Sequence, residues 1–170
     1  MKNTIKLIVV VAFTLAAMSV SAQVKLGHIE TQKLIQAMPE WNAAQKTMET
    51  KQNDIETELT KMKEDYQTKV ADYSKNAKTY SDVVRATKEQ ELQDMQQRII
   101  RFQEIAVDNL DKEQKSLMQP IIDKAMNAIK AVGKENGFTY IYDMNGGAIL
   151  YAADNTEDVL PLVKKKLGLQ

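Results

Sequence analysis

The side chains with a claim to covalent or metal chemistry are few in this chain. His28 is the one histidine and there is no cysteine, so Cys–His nucleophile pairs and the usual zinc ligand sets cannot be assembled from it. The expected role of His28 is that of a strand residue on a surface or an interface. Acidic neighbours such as Glu64 with Asp65, or Glu89 with Glu91, sit in densely charged stretches. A solvated helix face explains them better than carboxylates sharing general acid–base work. The run Asp143-Met144-Asn145-Gly146-Gly147 resembles a calcium loop with Asp154 in its twelfth place, but Ala148 stands sixth, where such a loop needs Gly. A hairpin turn is the better reading, and Gly146-Gly147 lacks the spacing and the Lys of a phosphate cradle. No catalytic, metal or cofactor-binding residue is therefore assigned, and the chain does not read as an enzyme.

Non-covalent chemistry has more to work with. Tyr66, Tyr73 and Tyr80 recur every seventh residue, and around them Lys69, Lys75, Lys78, Arg85 and Lys88 face only Asp72 and Asp82. Between Glu40 and Thr60 the balance reverses, with Lys46 and Lys51 outnumbered by Glu40, Glu49, Asp54, Glu56 and Glu58. A positive patch of this kind steers acidic ligands, with an ionic-strength dependence set by screening. The tyrosines add amphipathic surface that packs loosely against many sequences. These eight residues, Tyr66, Lys69, Tyr73, Lys75, Lys78, Tyr80, Arg85 and Lys88, are the candidate binding set. The plainer alternative makes the tyrosines seam residues and the lysines a solvated face.

What positions them is a long helical element. No Gly or Pro occurs from Glu40 to Gln119. Met48, Ile55, Leu59, Met62, Tyr66, Val70, Tyr73, Ala77 and Tyr80 recur at helical spacing, as do Leu92, Met95, Ile99, Phe102, Ala106, Leu110, Leu117 and Ile121. Two stripes that narrow suit two helices packed on each other. The reversal is expected between Lys75 and Asp82, with Ser81 as N-cap and Asp82 favoured by the helix dipole. Pro120 predicts a kink in the descending arm. Met, Ala and Tyr in the stripes predict arms of modest stability that flex.

The flanks read as a small β-rich body. Val24, Leu26 and Ile29 form a strand pattern, followed by a brief helix from Thr31 to Met38 that Pro39 ends. Gly133 and Gly137 are expected to close the descending helix. Phe138 to Met144 reads as a strand, Asn145-Gly146-Gly147 as a tight turn, and Ala148 to Ala152 as the returning hairpin strand. A last helix is expected from Thr156 to Leu167. The fold class is thus α+β, with the body at 23–39 and 136–170 and an antiparallel helical hairpin at 40–135. So small a body without disulfides is marginal alone, and its sheet predicts self-assembly through Val24, Leu26, Ile29, Phe138, Tyr140, Tyr142, Ile149 and Tyr151.

Residues 1–22 read as a separate segment. Lys2 and Lys6 precede an apolar run from Leu7 to Val20, and Val20-Ser21-Ala22 supplies the small residues of a signal-peptidase site. The run is shorter than the ~20 residues of a bilayer span, so export with cleavage after Ala22 is preferred to a retained anchor. Loss of Lys2 and Lys6 takes the 23 basic residues to 21, against 23 acidic ones. That near-neutral balance gives no reason to expect nucleic acid as a partner.

Three segments carry a family resemblance: Leu26-Gly27-His28-Ile29-Glu30-Thr31-Gln32-Lys33-Leu34, Met38-Pro39-Glu40-Trp41, and Asn155-Thr156-Glu157-Asp158-Val159-Leu160. In these, and in the order of its elements, the chain resembles the Skp/OmpH family of periplasmic chaperones. The resemblance implies a homotrimer whose small β-barrel body forms by oligomerisation and whose helical-hairpin tentacles enclose a cavity. It further implies an ATP-independent holdase for unfolded outer-membrane β-barrel proteins in the periplasm; no cofactor is expected, and the positive charge near the tips makes lipopolysaccharide phosphates or the membrane surface a further expected partner. One departure is that well-known members are strongly basic and this chain is not. The rival reading is a coiled-coil structural or adaptor protein whose arms dock one defined envelope partner.

Overall fold

The computed structural model describes residues 24–153 and 156–169; the proposed signal segment 1–22 and its cleavage point lie outside them. Strand β1 (Leu26–Ile29) leads into helix α1 (Thr31–Gln36), and Pro39 opens the long α2 (Pro39–Asn76). A 3-10 turn at Ala77–Thr79 precedes α3 (Asp82–Glu135), and then come β2 (Tyr140–Asp143), β3 (Glu157–Asp158) and α4 (Leu160–Lys166). Among the described residues the chain is mostly helix, with one three-stranded sheet.

The arms are antiparallel, as the ion pairs between them show. Lys124 meets Glu40 at the root, Lys51 meets Glu113 at 3.3 Å midway, and Lys69 meets Glu91 at 2.5 Å near the tip. The two helices have 38 and 54 residues, about 57 and 81 Å at ~1.5 Å per residue. At the tip the Ser81 hydroxyl accepts from the Val84 N–H at 3.4 Å, and Asp82 occupies the first turn. These satisfy and complement backbone donors left free at a helix start. α3 runs through Pro120 without ending, although proline leaves the Ser116 carbonyl without its usual N–H partner.

Both stripes form the seam, and nearly all of their members are only half-buried. Full burial in the arms above the root comes down to Ala106, while Ala44 at the root belongs to the core. The core lies below, where Ile121, Ala125, Ala128, Ile129 and Val132 of α3 meet Ile29, Leu34, Met38, Val159 and Val163. It thus draws on residues inside the 40–135 segment as well as on the flanks.

The sheet departs from the expected hairpin. Its order is β2-β1-β3 and both pairings are parallel, with Leu26 opposite Tyr140, His28 opposite Tyr142, and His28 also opposite Asp158. Parallel neighbours need a long crossover, and between β1 and β2 that crossover is the pair of arms. Ala148 to Ala152 is not a strand, so Ile149 and Tyr151 lie in irregular chain, where Leu150 is 95% exposed. The cause is visible at Asp143 and Asn145. Asp143 accepts from the Thr31 N–H (3.2 Å), the Thr31 hydroxyl (2.5 Å) and the Asn145 N–H (3.0 Å), while the Asn145 carboxamide oxygen accepts from the Gln32 N–H (3.1 Å). These bonds cap α1 from a distance and hold the turn against it, so the chain does not fold back along β2.

Two further expectations are corrected. Glu157 and Asp158 form β3, and the last helix begins at Leu160, where the Asp158 carboxylate accepts from the Leu160 N–H at 2.9 Å. Gly133 lies inside α3 and does not end it. A Cβ there would stand 3.2 Å from Ile141 Cδ1, so this glycine lets β2 approach the helix. Gly137, at φ +69°, is the one that turns the chain out of α3.

Candidate functional site

Two surfaces collect the residues singled out above. The first is the tip. Tyr73 and Tyr80 approach with ring centroids 6.3 Å apart, and the Tyr73 hydroxyl donates to Glu89 across the seam. That bond lifts the Tyr73 phenol above its ordinary value, because ionisation would set two negative charges side by side. Tyr66 is half-buried one heptad lower.

The basic residues are not equivalent. Glu91 accepts from Lys69 at 2.5 Å and from Lys88 at 3.2 Å. Hydrogen bonds from Lys69 and then Lys88 hold its carboxyl below the usual range, and Lys88 is raised by the same contact. Arg85 reaches Asp82 at 3.8 Å. Lys75 and Lys78 make no ion pair among the described residues, so they carry the least compensated charge of the tip. Glu91 lies just beyond the window in which the sequence shows a positive excess.

The second surface is the outer face of the sheet. Gly27 and Ile29 turn inward, where a Cβ on Gly27 would lie 2.9 Å from Val159 Cγ1 and 3.0 Å from the Phe138 ring. Alternation then sends Leu26 and His28 outward together with Tyr140 and Tyr142. Those tyrosines stack with centroids 5.9 Å apart, and Leu26, Tyr140, Tyr142 and Val24 are all exposed. Ile29 is buried in the protomer's own core and Phe138 packs against it, so within one chain both serve the fold. His28 Nδ1 lies 3.2 Å from the Thr156 hydroxyl, which donates its proton to the Ala153 carbonyl at 2.7 Å. With its own proton given to Ala153, the Thr156 oxygen is left to accept from an Nδ1–H of the imidazole.

From Lys25 to Leu167 the chain matches the profile of the outer membrane protein family described as OmpH-like. The chain belongs to the OmpH-like family. Two curated relatives are both called chaperone protein Skp. That of Pectobacterium atrosepticum is 26% identical over 151 residues, covering 88% of this chain and 91% of its own. That of Yersinia enterocolitica is 26% identical over 155 residues, covering 87% and 93%. The OmpH-like match thus takes in the arms and the sheet together.

A groove of about 400 Å³ opens at the root of the arms between Ala43, Ala44, Thr47, Leu117, Pro120 and Ile121. The small side chains of α2 leave room there. The stripes read from the sequence account for the seam but pass over Ile100, Ile105, Val107, Ile122 and Met126, all exposed on α3. Their signal in the sequence is that they are apolar residues standing out of register with the stripe.

Proposed function

We propose that this protein is a periplasmic chaperone that holds unfolded outer-membrane β-barrel proteins, without ATP, in a space enclosed by the arms of several copies. The observation that carries this is a division of labour within one chain. Long arms with a half-wet seam stand on a small body whose sheet leaves a tyrosine-rich apolar face uncovered. The uncovered face is a natural joint for further copies, and three is the number the family resemblance implies. The shared family and the chaperone names of the relatives support the same reading.

Within it, Lys75 and Lys78 are the residues free to steer acidic segments of a client or lipopolysaccharide phosphates. Lys69, Arg85 and Lys88 contribute when a client displaces their acidic partners, and Tyr66, Tyr73 and Tyr80 supply adaptable contact. The test is dilution of a urea-unfolded porin into buffer with the protein present, followed by light scattering. A holdase suppresses aggregation at near-stoichiometric trimer; an adaptor for one folded partner leaves scattering unchanged, and that outcome would end the reading.

A further inference from the structure

Sulfur in this chain is all thioether. There are nine methionines and no cysteine, and of the methionines described only Met38 is fully buried. Met126 stands on the surface of α3, 43% exposed. Met62 of α2 and Met95 of α3 are half-buried in the seam. Coming from opposite arms, these two line one depression of about 120 Å³ together with Asp65, Arg98 and Ile99. A space of ~10–15 Å³ admits a water molecule, so hydrogen peroxide has ample room beside both side chains.

Little else holds this part of the hairpin. From Gln45 to Ile105 no residue is fully buried, so the seam rests on half-buried contacts such as Met62, Tyr66, Met95 and Ile99. Toward the tip the cross-arm bonds are polar, from Lys69 to Glu91 at 2.5 Å and from Tyr73 to Glu89. A thioether suits such a seam, because the side chain is apolar and adapts to irregular gaps. Its sulfoxide is polar and chiral, and disrupts apolar packing.

The walls of the depression receive the oxidised form unequally. Arg98 makes no ion pair among the described residues, and its guanidinium, which only donates, offers a sulfoxide oxygen a partner. Asp65, an acceptor when ionised, offers it none. A sulfoxide drawn toward Arg98 leaves the seam.

We propose that Met62 and Met95 are a modification site, at which a peroxide oxidises both thioethers and the outer arms loosen while the body stays folded. The sulfur lone pair attacks one peroxide oxygen, and the S–O bond forms as the O–O bond breaks. The proton on the transferred oxygen passes to the departing hydroxide, which leaves as water. Sulfur is thereby oxidised by two electrons and the peroxide reduced by two. Methionine sulfoxide reductases reverse the change, so the rung works as a switch.

No client enters the test. The full mature protein is treated with hydrogen peroxide at neutral pH, and peptide mass spectrometry locates the oxygen gained at each methionine. Met62 and Met95 are expected to react within about tenfold of the rate of Met126, and Met38 at least about a hundredfold more slowly, since susceptibility follows exposure. Amide exchange between residues 55 and 105 is expected to quicken about tenfold, with β1 and α4 unchanged, and to slow again after reductase treatment.

The pair Met62→Leu with Met95→Leu, which conserves volume, is expected to keep its exchange rates through peroxide treatment. Met62→Gln with Met95→Gln is expected to exchange fast without any peroxide. The proposal is overturned if Met62 and Met95 stay intact while Met126 is fully oxidised, or if both are oxidised with exchange unchanged. It is equally overturned if peroxide loosens the leucine pair as much as the unsubstituted chain. The first two results are read on the unsubstituted protein, so they stand even where a variant folds poorly.

Discussion

Glu91 is the residue on which the electrostatics of the tip turn, because one carboxylate serves two lysines that belong to different arms. Its carboxyl titrates below the ordinary 4.5 in the folded protein, so the stabilisation it gives is complete above that pH. It is lost as pH falls through the lower, folded value. Amide-exchange protection around Lys69 and Lys88 should hold from pH 7 to 5 and decline below about 4.5. Glu91→Gln should show the acid behaviour at neutral pH, and unchanged protection in that variant would contradict the assignment. The sequence made the lysines visible but not their partners, since Lys69 and Glu91 meet only once the chain has reversed.

Single elements separate what is local from what is distant. The Ser81 cap was legible because all of its physics lies within four residues. Ser81→Ala should cost about 0.5–1 kcal/mol, read as faster exchange in the first turn of α3 with the body unaffected. The strands were harder. Asn145-Gly146-Gly147 has the composition of a hairpin turn, yet Asp143 and Asn145 spend their side chains on the start of α1, more than a hundred residues away in sequence. No local pattern announces such a bond, and parallel pairing of Glu157–Asp158 with β1 is equally remote. β1 itself is the tightest element. Gly27→Ala would drive a methyl into Val159 and Phe138 and should cost about 1–3 kcal/mol in urea unfolding, whereas a loss within error would mean that these two side chains give way freely.

For the whole molecule, the sheet's outer face matters more than any buried residue. Leu26, Tyr140 and Tyr142 leave apolar area in water that a partner surface would remove. Tyr142→Glu, placed opposite His28, should lower the sedimentation coefficient to that of a single chain while far-ultraviolet circular dichroism keeps its helical signal. An unchanged coefficient would show that copies do not join through this face. Pro120 acts on the same scale. It sits where α3 leaves the core, and the helix there is one hydrogen bond short of regular. From Pro120 up to Asp82 is roughly 57 Å of helix, so a tilt of only ~5° at this rung carries the far end about 5 Å sideways. In the assembly proposed above, such levers would let the rim widen or narrow for guests of different girth without refolding.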